Sequence, residues 1–283
     1  MQQNTQSEFA AGEPAITVRN PSVTGDLRLH EFESRIFGNR RFLRVWLPPD
    51  YEAPENKDRQ YPVLYLNDGQ NLFEAPIAFG GVEWQVDETA DRLIRDEKIP
   101  PLIVVGIDNT QADRIKEYVS YRTWNPPVLR PRGKHYPEFL QQEVTPFVQQ
   151  RYRIAPGAEN AGLGGSSLGA LIALYTVIEQ PGVFGRLLLE SPSLFVAHHR
   201  ILKYCRHCRQ WPSKIYMAIG THESGREDRS EQVVGDVRKL ERMLRRSGLG
   251  DDRLRVRIDE GARHNEAEWA KRFPEALTFL FGQ

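Results

Sequence analysis

Residues 161–170, AGLGGSSLGA, constrain what this chain can fold into more than any other segment. They contain the pattern G-x-S-x-G at residues 165–169, with small residues around Ser167 and an apolar run directly after it at 171–178. This order is typical of a strand, a turn too tight for bulky neighbours, and a helix. It predicts that Ser167 lies at the tip of the turn. Its hydroxyl would face a cleft near the backbone N–H groups of a helix N-terminus.

Other glycine-rich turns have different sequence requirements. A phosphate-binding loop needs the pattern G-x-x-x-x-G-K-[ST], and no lysine follows Gly169. The dinucleotide fingerprint G-x-G-x-x-G fails because Ser167 stands where the third glycine is required. A turn that only permits close packing of strand and helix remains an alternative, so the rest of the chain must decide.

Short apolar runs alternate with helical patterns along the chain. Continuous apolar runs are typical of strands covered on both faces, and they occur at 62–66, 102–105, 187–189, 215–219 and 254–258. Apolar residues at helical spacing occur at 86–94, 136–148, 233–244 and 269–279. This alternation predicts an α/β fold whose mostly parallel sheet carries helices on both faces. Two earlier strands, 27–36 and 41–47, flank the turn Gly38-Asn39 and predict an N-terminal antiparallel hairpin.

Two stretches stand apart from this pattern. Residues 1–24 are polar and are predicted to form a flexible arm or an added edge strand, before a single catalytic domain at 25–283. Residues 108–134 are rich in proline and arginine and are predicted to be a long irregular loop. Loops of this length in compact domains are usually lids or binding loops.

The composition narrows the classes of partner. The 38 basic and 38 acidic residues balance to a net charge of zero, so no global attraction to nucleic acid or to an anionic membrane is expected. No apolar run is long enough to span a bilayer, and the first residues do not resemble a signal peptide. We therefore expect a cytoplasmic protein, with secretion through a removed leader as the alternative. A homo-oligomer is compatible with these observations.

A serine hydroxyl needs a base, and the base needs a carboxylate that orients it. In nucleophile-elbow enzymes of the α/β class the chain order is serine, acid, histidine, each after a strand. His264 follows the last predicted strand, which makes it the candidate base. Glu223 follows the preceding strand and is the preferred acid; Asp228, farther along the same loop, is the alternative, and Asp236 or a dyad without an acid also remains open.

Two backbone N–H groups are needed to bind the negatively charged oxygen that forms during acyl transfer. One is expected from Leu168, the residue after the nucleophile. The other is expected from Gln70, in the loop after the strand at 62–66, where Gly69 permits a positive φ that would direct the Gln70 N–H inward. An ordinary Asp-Gly turn is the alternative interpretation of this loop.

The motifs together resemble the putative esterase family, which includes enterochelin esterases, feruloyl esterases, esterase D and the antigen 85 mycolyltransferases. The resemblance covers about residues 27–281. It rests on the serine turn and on four further stretches: VWLPPDY at 45–51, YPVLYLNDGQNLF at 61–73, GIDN at 106–109 with RIKEY at 114–118, and HNEAEW at 264–269.

This resemblance implies an α/β-hydrolase fold and hydrolysis of small-molecule esters without a metal or other cofactor. It supports Ser167 and His264 as catalytic residues, and Glu223 matches the family's acid position. Trp84, Arg114 and Tyr118 are predicted to bind substrate at the cleft mouth, together with Arg122 and Trp124. Arg114 is the preferred contact because the family pattern covers it. Aromatic and arginine side chains there would suit aryl, phenolic or siderophore-type esters.

Other functions remain open at this point. Acyl transfer to an alcohol acceptor would use the same residues, and an acetyl-ester (carbohydrate) esterase is a further alternative. A binding module without catalysis is disfavoured because the serine and the histidine are both present in the required order. Cys205 and Cys208 form a single C-x-x-C near histidines, which suggests two reduced thiols rather than a zinc site with paired ligand spacing.

Overall fold

A nine-stranded sheet runs through the molecule in the computed structural model, which describes residues 15–18, 20–124 and 127–282. A separate hairpin is formed by β6 and β7. In chain order the strands are β1 (Ile16–Thr17), β2 (Asp26–Ser34), β3 (Asn39–Leu47), β4 (Val63–Asn67), β5 (Ile103–Ile107), β6 (Thr123–Trp124), β7 (Pro127–Val128), β8 (Ala161–Ser166), β9 (Arg186–Glu190), β10 (Lys214–His222) and β11 (Leu254–Arg263).

The order of strands across the large sheet is β1-β2-β3-β5-β4-β8-β9-β10-β11. The six strands from β5 to β11 in this order are parallel, whereas β1, β2 and β3 pair antiparallel. The predicted α/β class, with a mostly parallel sheet and an N-terminal hairpin, is confirmed. Within the predicted arm, β1 adds to the sheet edge beside β2, while residues 1–14 and 19 lie outside the described chain.

Helices cover both faces of the sheet. They are α1 (Val86–Arg95), α2 (Arg114–Tyr118), α3 (Tyr136–Phe139), α4 (Thr145–Arg151), α5 (Leu168–Glu179), α6 (Val196–Tyr204), α7 (Glu227–Arg246) and α8 (Glu266–Phe281), with a π-helical turn at Leu140–Val144. None of the helices in the described ranges is long and apolar enough to cross a membrane.

The apolar side chains of the strands divide between two cores because successive side chains of a strand point to opposite faces. In β4, Val63 and Tyr65 pack in the core that contains α5 and α7, whereas Leu64 and Leu66 pack with α1 and α8. This two-sided burial explains why the sequences of the central strands are continuously apolar and do not alternate between apolar and polar residues.

The segment at 108–134 is not irregular throughout. It contains α2 and the β6–β7 hairpin, although residues 125 and 126 of the hairpin lie outside the described chain. The helix α2 is short, and the prediction missed it because five residues are too few to display a helical period. Its Glu117 is buried and forms an ion pair with Arg41 of β3, which attaches the segment to the sheet.

A buried ion pair fixes α8 against the end of β9. Arg272 Nε donates to Glu190 Oε2 at 2.9 Å, and both side chains are 0 % exposed. The carbonyl oxygen of the same Glu190 accepts the backbone N–H of Ser167 at 2.9 Å. The pair therefore supports the strand end on which the serine turn rests.

We expect Arg272→Met to lower the free energy of unfolding by about 3–5 kcal/mol, because the Glu190 carboxylate would remain buried without its partner. Urea unfolding of the single variants and of Arg272→Met/Glu190→Gln measures the coupling. The double variant should lose less than the sum of the single losses. Strict additivity would show that the two side chains do not stabilise each other.

Candidate active site

Ser167 lies in a strained turn between β8 and α5. Its φ of 55° and ψ of −119° are unusual for a residue with a side chain, and such conformations cost of order 1–3 kcal/mol. Three backbone hydrogen bonds hold it: the Ser167 N–H donates to Glu190, and the Ser167 carbonyl accepts the N–H groups of Ser193 at 3.1 Å and of Leu171 at 3.2 Å. Ser167 therefore occupies the tip of the turn, as the G-x-S-x-G pattern predicts.

The last glycine of that pattern is required by close packing. A Cβ atom on Gly169 would lie 2.9 Å from Asp68 Oδ2 and 3.2 Å from Asn67 Cβ. The Gly169 carbonyl also accepts a hydrogen bond from Asn67 Nδ2 at 2.8 Å. The first turn of α5 thus packs directly on the loop that follows β4, which brings the two predicted oxyanion segments together.

His264 and Glu223 form a close pair. His264 directly follows β11, Glu223 directly follows β10, and His264 Nδ1 lies 2.5 Å from Glu223 Oε2. The other carboxylate oxygen, Oε1, accepts the Gly220 N–H at 2.7 Å and the Ser191 hydroxyl at 2.8 Å. Burial raises the pKa of the Glu223 carboxyl, but the hydrogen bonds from His264, Gly220 and Ser191 outweigh burial and leave its pKa below the usual value. The carboxylate is therefore ionised at neutral pH.

Ser191 connects this pair to α8. Its hydroxyl donates to Glu223 and accepts the indole N–H of Trp269 at 3.0 Å, while the Trp269 ring packs edge-on against the His264 ring with centroids 5.1 Å apart. Ser191 is not among the residues predicted from the sequence. The only available signal was its position directly after the apolar strand that ends at Glu190.

Ser167 and His264 border one cavity of about 520 Å³. The Ser167 hydroxyl lies 3.2 Å from Ser193 Oγ, and within the described part of the chain no hydrogen bond joins it to His264. Hydrogen bonds between nucleophile and base are often long in unliganded sites and tighten when substrate binds. Ser167 and His264 therefore line the same cavity, although no hydrogen bond joins them among the described residues.

The two other carboxylates considered as the acid point elsewhere. Asp228 is exposed and pairs with Arg226, with Oδ2 2.7 Å from Nη2. Asp236 belongs to α7, and its Oδ2 lies 2.7 Å from His199 Nε2. Of the three, Glu223 is the carboxylate in contact with His264.

The loop after β4 differs in detail from the prediction. The residue with a positive φ is Asp68, at 62°, and not Gly69. Gly69 is required for space, because a Cβ there would lie 2.6 Å from the carbonyl carbon of Gly106. Neither the Gln70 N–H nor the Leu168 N–H donates to a protein acceptor among the described residues. Both donors lie outside the cavity wall, and their oxyanion role stays a prediction.

Two of the residues predicted to bind substrate lie in the core instead. Trp84 is 1 % exposed and packs against Trp269 and Phe273, and Tyr118 is 0 % exposed and packs against Tyr136. These placements correct the prediction that Trp84 and Tyr118 line the cleft mouth. Burying such large rings stabilises the core. The sequence pattern alone does not distinguish an aromatic ring in the core from one at the surface of a cleft.

Arg114 is likewise engaged inside the protein. Its Nε and Nη2 each lie 2.7 Å from one oxygen of the Asp68 carboxylate, and Asp68 also accepts Asn109 Nδ2 at 2.6 Å. A bidentate pair of this kind holds the left-handed Asp68 in place. Arg114 is absent from the cavity wall, and the contact it makes is with the loop before Gln70, which it supports.

Other side chains form the outer wall of the cavity. Trp124, named beside Arg122 at the predicted cleft mouth, does line it and is 72 % exposed. Phe195 and Arg229 contribute further, together with His198 and His199 of a strained run of three residues. That run, at 197–199 in the first turn of α6, has left-handed backbone angles throughout, with φ of 51°, 55° and 59°.

The two cysteines and a cluster of carboxylates are absent from the wall of this cavity. Burial raises the pKa of the Cys205 thiol to about 12, so it is protonated at neutral pH, and Cys208 contacts the carbonyl of Gln210. A group of three carboxylates with oxygens within 4.8 Å of one another lies at the start of α1 and comprises Glu83, Asp87 and Glu88.

Comparisons with known proteins agree with this geometry. The model of the family described as Putative esterase matches residues 34–280, which is most of the chain. The chain belongs to this family. The predicted family resemblance is thereby confirmed, and ester hydrolysis is the activity that membership supports.

A curated relative, the uncharacterized protein YbbA of Bacillus subtilis, is 26 % identical over 255 residues, which cover 87 % of this chain and 94 % of YbbA. Among solved structures, the BES protein from Bacillus cereus aligns with a TM-score of 0.72 at 18 % identity, covering 95 % of this chain and 100 % of BES. An IroE-like serine hydrolase from Shewanella oneidensis aligns with a TM-score of 0.68 at 20 % identity, covering 90 % and 80 %. These likenesses confirm the α/β-hydrolase fold.

We expect Glu223→Gln to lower kcat by about 10³–10⁴-fold, because an amide in place of the carboxylate no longer stabilises the charged imidazole or selects its tautomer. Asp228→Asn is the matched control on the same loop and should retain nearly full activity. Steady-state hydrolysis of p-nitrophenyl acetate measures both. Equal losses in the two variants would argue against Glu223 as the acid.

We expect Arg114→Leu to lower kcat/KM for aryl and acetyl esters by the same factor, roughly 10–100-fold, because the loop before Gln70 would shift for every substrate. Arg122→Leu is the control, since Arg122 is exposed and contacts only the Leu129 carbonyl among the described residues. A loss confined to aryl esters would instead indicate direct recognition of substrate by Arg114.

Proposed function

We propose that the protein is a serine carboxylic-ester hydrolase that acts through an acyl-enzyme on Ser167. One observation carries the proposal: a serine in a strained strand–helix turn borders the same cavity as a histidine that is paired with a buried carboxylate. The three residues follow the ends of β8, β10 and β11, where the carboxyl ends of parallel strands form the usual ligand site of an α/β sheet.

The proposed roles follow from the chemistry of the three groups. Ser167 attacks the ester carbonyl while His264 Nε2 takes the hydroxyl proton. Glu223 accepts the Nδ1–H, which leaves Nε2 as the basic nitrogen and stabilises the imidazolium that forms. His264 then gives the proton to the leaving alcohol and later activates the water that releases the acid. No step requires a cofactor.

The developing negative charge on the carbonyl oxygen needs donors that are not already in use. The Leu168 N–H is the first amide of α5, where backbone donors have no acceptor within the helix. The Gln70 N–H has no protein acceptor among the described residues. These two amides are the proposed oxyanion donors, and each such donor typically contributes ~10²–10³ in rate.

The cavity favours an aryl acyl group, of the phenolic or siderophore type. Exposed aromatic rings in a concave wall suit a flat ring, and Trp124 and Phe195 are 72 % and 39 % exposed. Arg229 adds a positive charge that, among the described residues, has no ion pair. Family membership supports the reaction class, and the likeness to the IroE-like serine hydrolase supports the choice of nucleophile.

We expect Ser167→Ala to lower kcat at least 10³-fold and to abolish labelling by a fluorophosphonate probe, because both require the Ser167 oxygen as nucleophile. Ser166→Ala, at the neighbouring buried position, is the matched control and should still be labelled. Intact-protein mass spectrometry and ester hydrolysis measure the two effects. Labelling of Ser167→Ala to the parent level would overturn the proposed nucleophile.

A further inference from the structure

The Glu223 carboxylate is buried without a permanently charged partner. Its side chain is 4 % exposed, and among the described residues its ion pair is with His264, which is charged only when protonated. Hydrogen bonds hold the carboxylate from the Gly220 N–H at 2.7 Å and from the Ser191 hydroxyl at 2.8 Å, beside the contact with His264 Nδ1. The first donor is backbone and the last is the proposed base. Ser191 therefore supplies the side-chain donor that can act on the carboxylate without taking part in the reaction.

The two partners of the Ser191 hydroxyl fix the direction of its proton. An indole N–H can only donate, and an ionised carboxylate can only accept. The Ser191 oxygen lies 3.0 Å from Trp269 Nε1 and 2.8 Å from Glu223 Oε1, so it accepts from the tryptophan and donates to the carboxylate. The chain Trp269–Ser191–Glu223 therefore runs in one direction, and each hydrogen bond polarises the next one toward the carboxylate.

The backbone holds both donors of this chain in place. Ser191 has a φ of 42°, and its N–H donates to the Ala218 carbonyl of β10 at 2.7 Å. Trp269 lies in the first turn of α8, and the side chain of Asn265 caps that helix. Because the cap residue directly follows His264, the helix start that adjoins the proposed base also carries the indole that reaches Ser191.

Other charged and titratable side chains surround the pair of Glu223 and His264. None of them, in the part of the chain that the structure describes, forms a hydrogen bond with either member of the pair. They are Glu190 of β9, Glu266 of α8, Arg229 of α7, His198 and His199 of α6, and His222 of β10 and Arg263 of β11. A substitution at Ser191 leaves these groups in place, so their charges act equally in the parent and in the variant.

A donor on Oε1 of Glu223 draws negative charge away from His264. Burial raises the pKa of the Glu223 carboxyl, and the Ser191 hydroxyl is among the donors that keep this pKa below its usual value. A carboxylate whose charge is shared with such a donor stabilises a protonated imidazole less. The imidazole then stays neutral, and able to accept the Ser167 proton, down to a lower pH.

We propose that Ser191 and Trp269 are positioning residues of the catalytic site, whose hydrogen-bonded chain fixes the Glu223 carboxylate and weakens its hold on protonated His264. The inference rests on the proposed function, because it takes His264 to be the base. It extends the activity toward acidic pH relative to the same site without the chain.

Ser191→Ala tests the chain directly. The observable is kcat/KM for p-nitrophenyl acetate at about pH 8 divided by kcat/KM at about pH 5.5, because a histidine base becomes protonated within this range. We expect Ser191→Ala to raise this ratio about three- to tenfold, the factor that the net contribution of one hydrogen bond represents. Ser213→Ala is the matched control. It removes a hydroxyl that binds the Gly185 carbonyl at the opposite end of β10, and it should leave the ratio unchanged.

Trp269→Phe removes the indole N–H and keeps an aromatic ring beside His264. It should raise the ratio by a smaller factor, because the Ser191 hydroxyl remains but is less polarised. Ser191→Ala/Trp269→Phe should show the same ratio as Ser191→Ala, since Trp269 acts through Ser191. Additive effects in the double variant would mean that the indole acts independently, and the chain would be overturned.

The outcomes separate this inference from the proposed function. An equal ratio in the parent and in Ser191→Ala, or an equal rise in Ser191→Ala and Ser213→Ala, overturns the positioning role and leaves the proposed function standing. If His264→Gln hydrolyses the ester at the parent rate, His264 is not the base, and both proposals fail together.

Discussion

The hydrogen bonds made by residues 190–193, which comprise the last residue of β9 and the three that follow it, hold the whole site together. The Glu190 carbonyl accepts the Ser167 N–H, and the Ser193 N–H donates back to the Ser167 carbonyl. The Ser191 hydroxyl contacts Glu223 and Trp269, and Trp269 packs on His264. One short segment in the middle of the parallel sheet therefore fixes the positions of the proposed nucleophile, base and acid relative to each other.

This arrangement explains how a strained serine can be kept in a stable protein. The left-handed backbone of Ser167 costs of order 1–3 kcal/mol, and it persists because its neighbours permit no other path. Its amide is bonded to Glu190, the last residue of β9, and its carbonyl to Ser193 just after that strand, and Glu190 is anchored by Arg272. Hydrogen bonds and an ion pair within the protein thus offset the backbone strain.

The positions that follow strand ends could be predicted from sequence, because an apolar run marks each strand and the next polar residue marks its end. Ser167, His264 and Glu223 were found in this way. Contacts that depend on tertiary packing could not: nothing local distinguishes a buried Trp84 from an exposed Trp124. The positive φ at Asp68 could not be predicted either, because glycine, the residue that most readily adopts a positive φ, stands at the next position. Gly69 is instead required because the backbone of Gly106 occupies the space beside it.

The strained run at 197–199 has a consequence for how this scaffold can change. The residues with proposed chemical roles sit at the ends of sheet strands, whereas residues 198–199 of the run, β6 and one face of α7 build the surrounding wall. Three consecutive left-handed residues disfavour the observed path, and the His199–Asp236 pair fastens it to α7. Shortening or replacing this segment would relieve backbone strain while leaving every strand end untouched. Selection can therefore diversify the wall independently of the reaction.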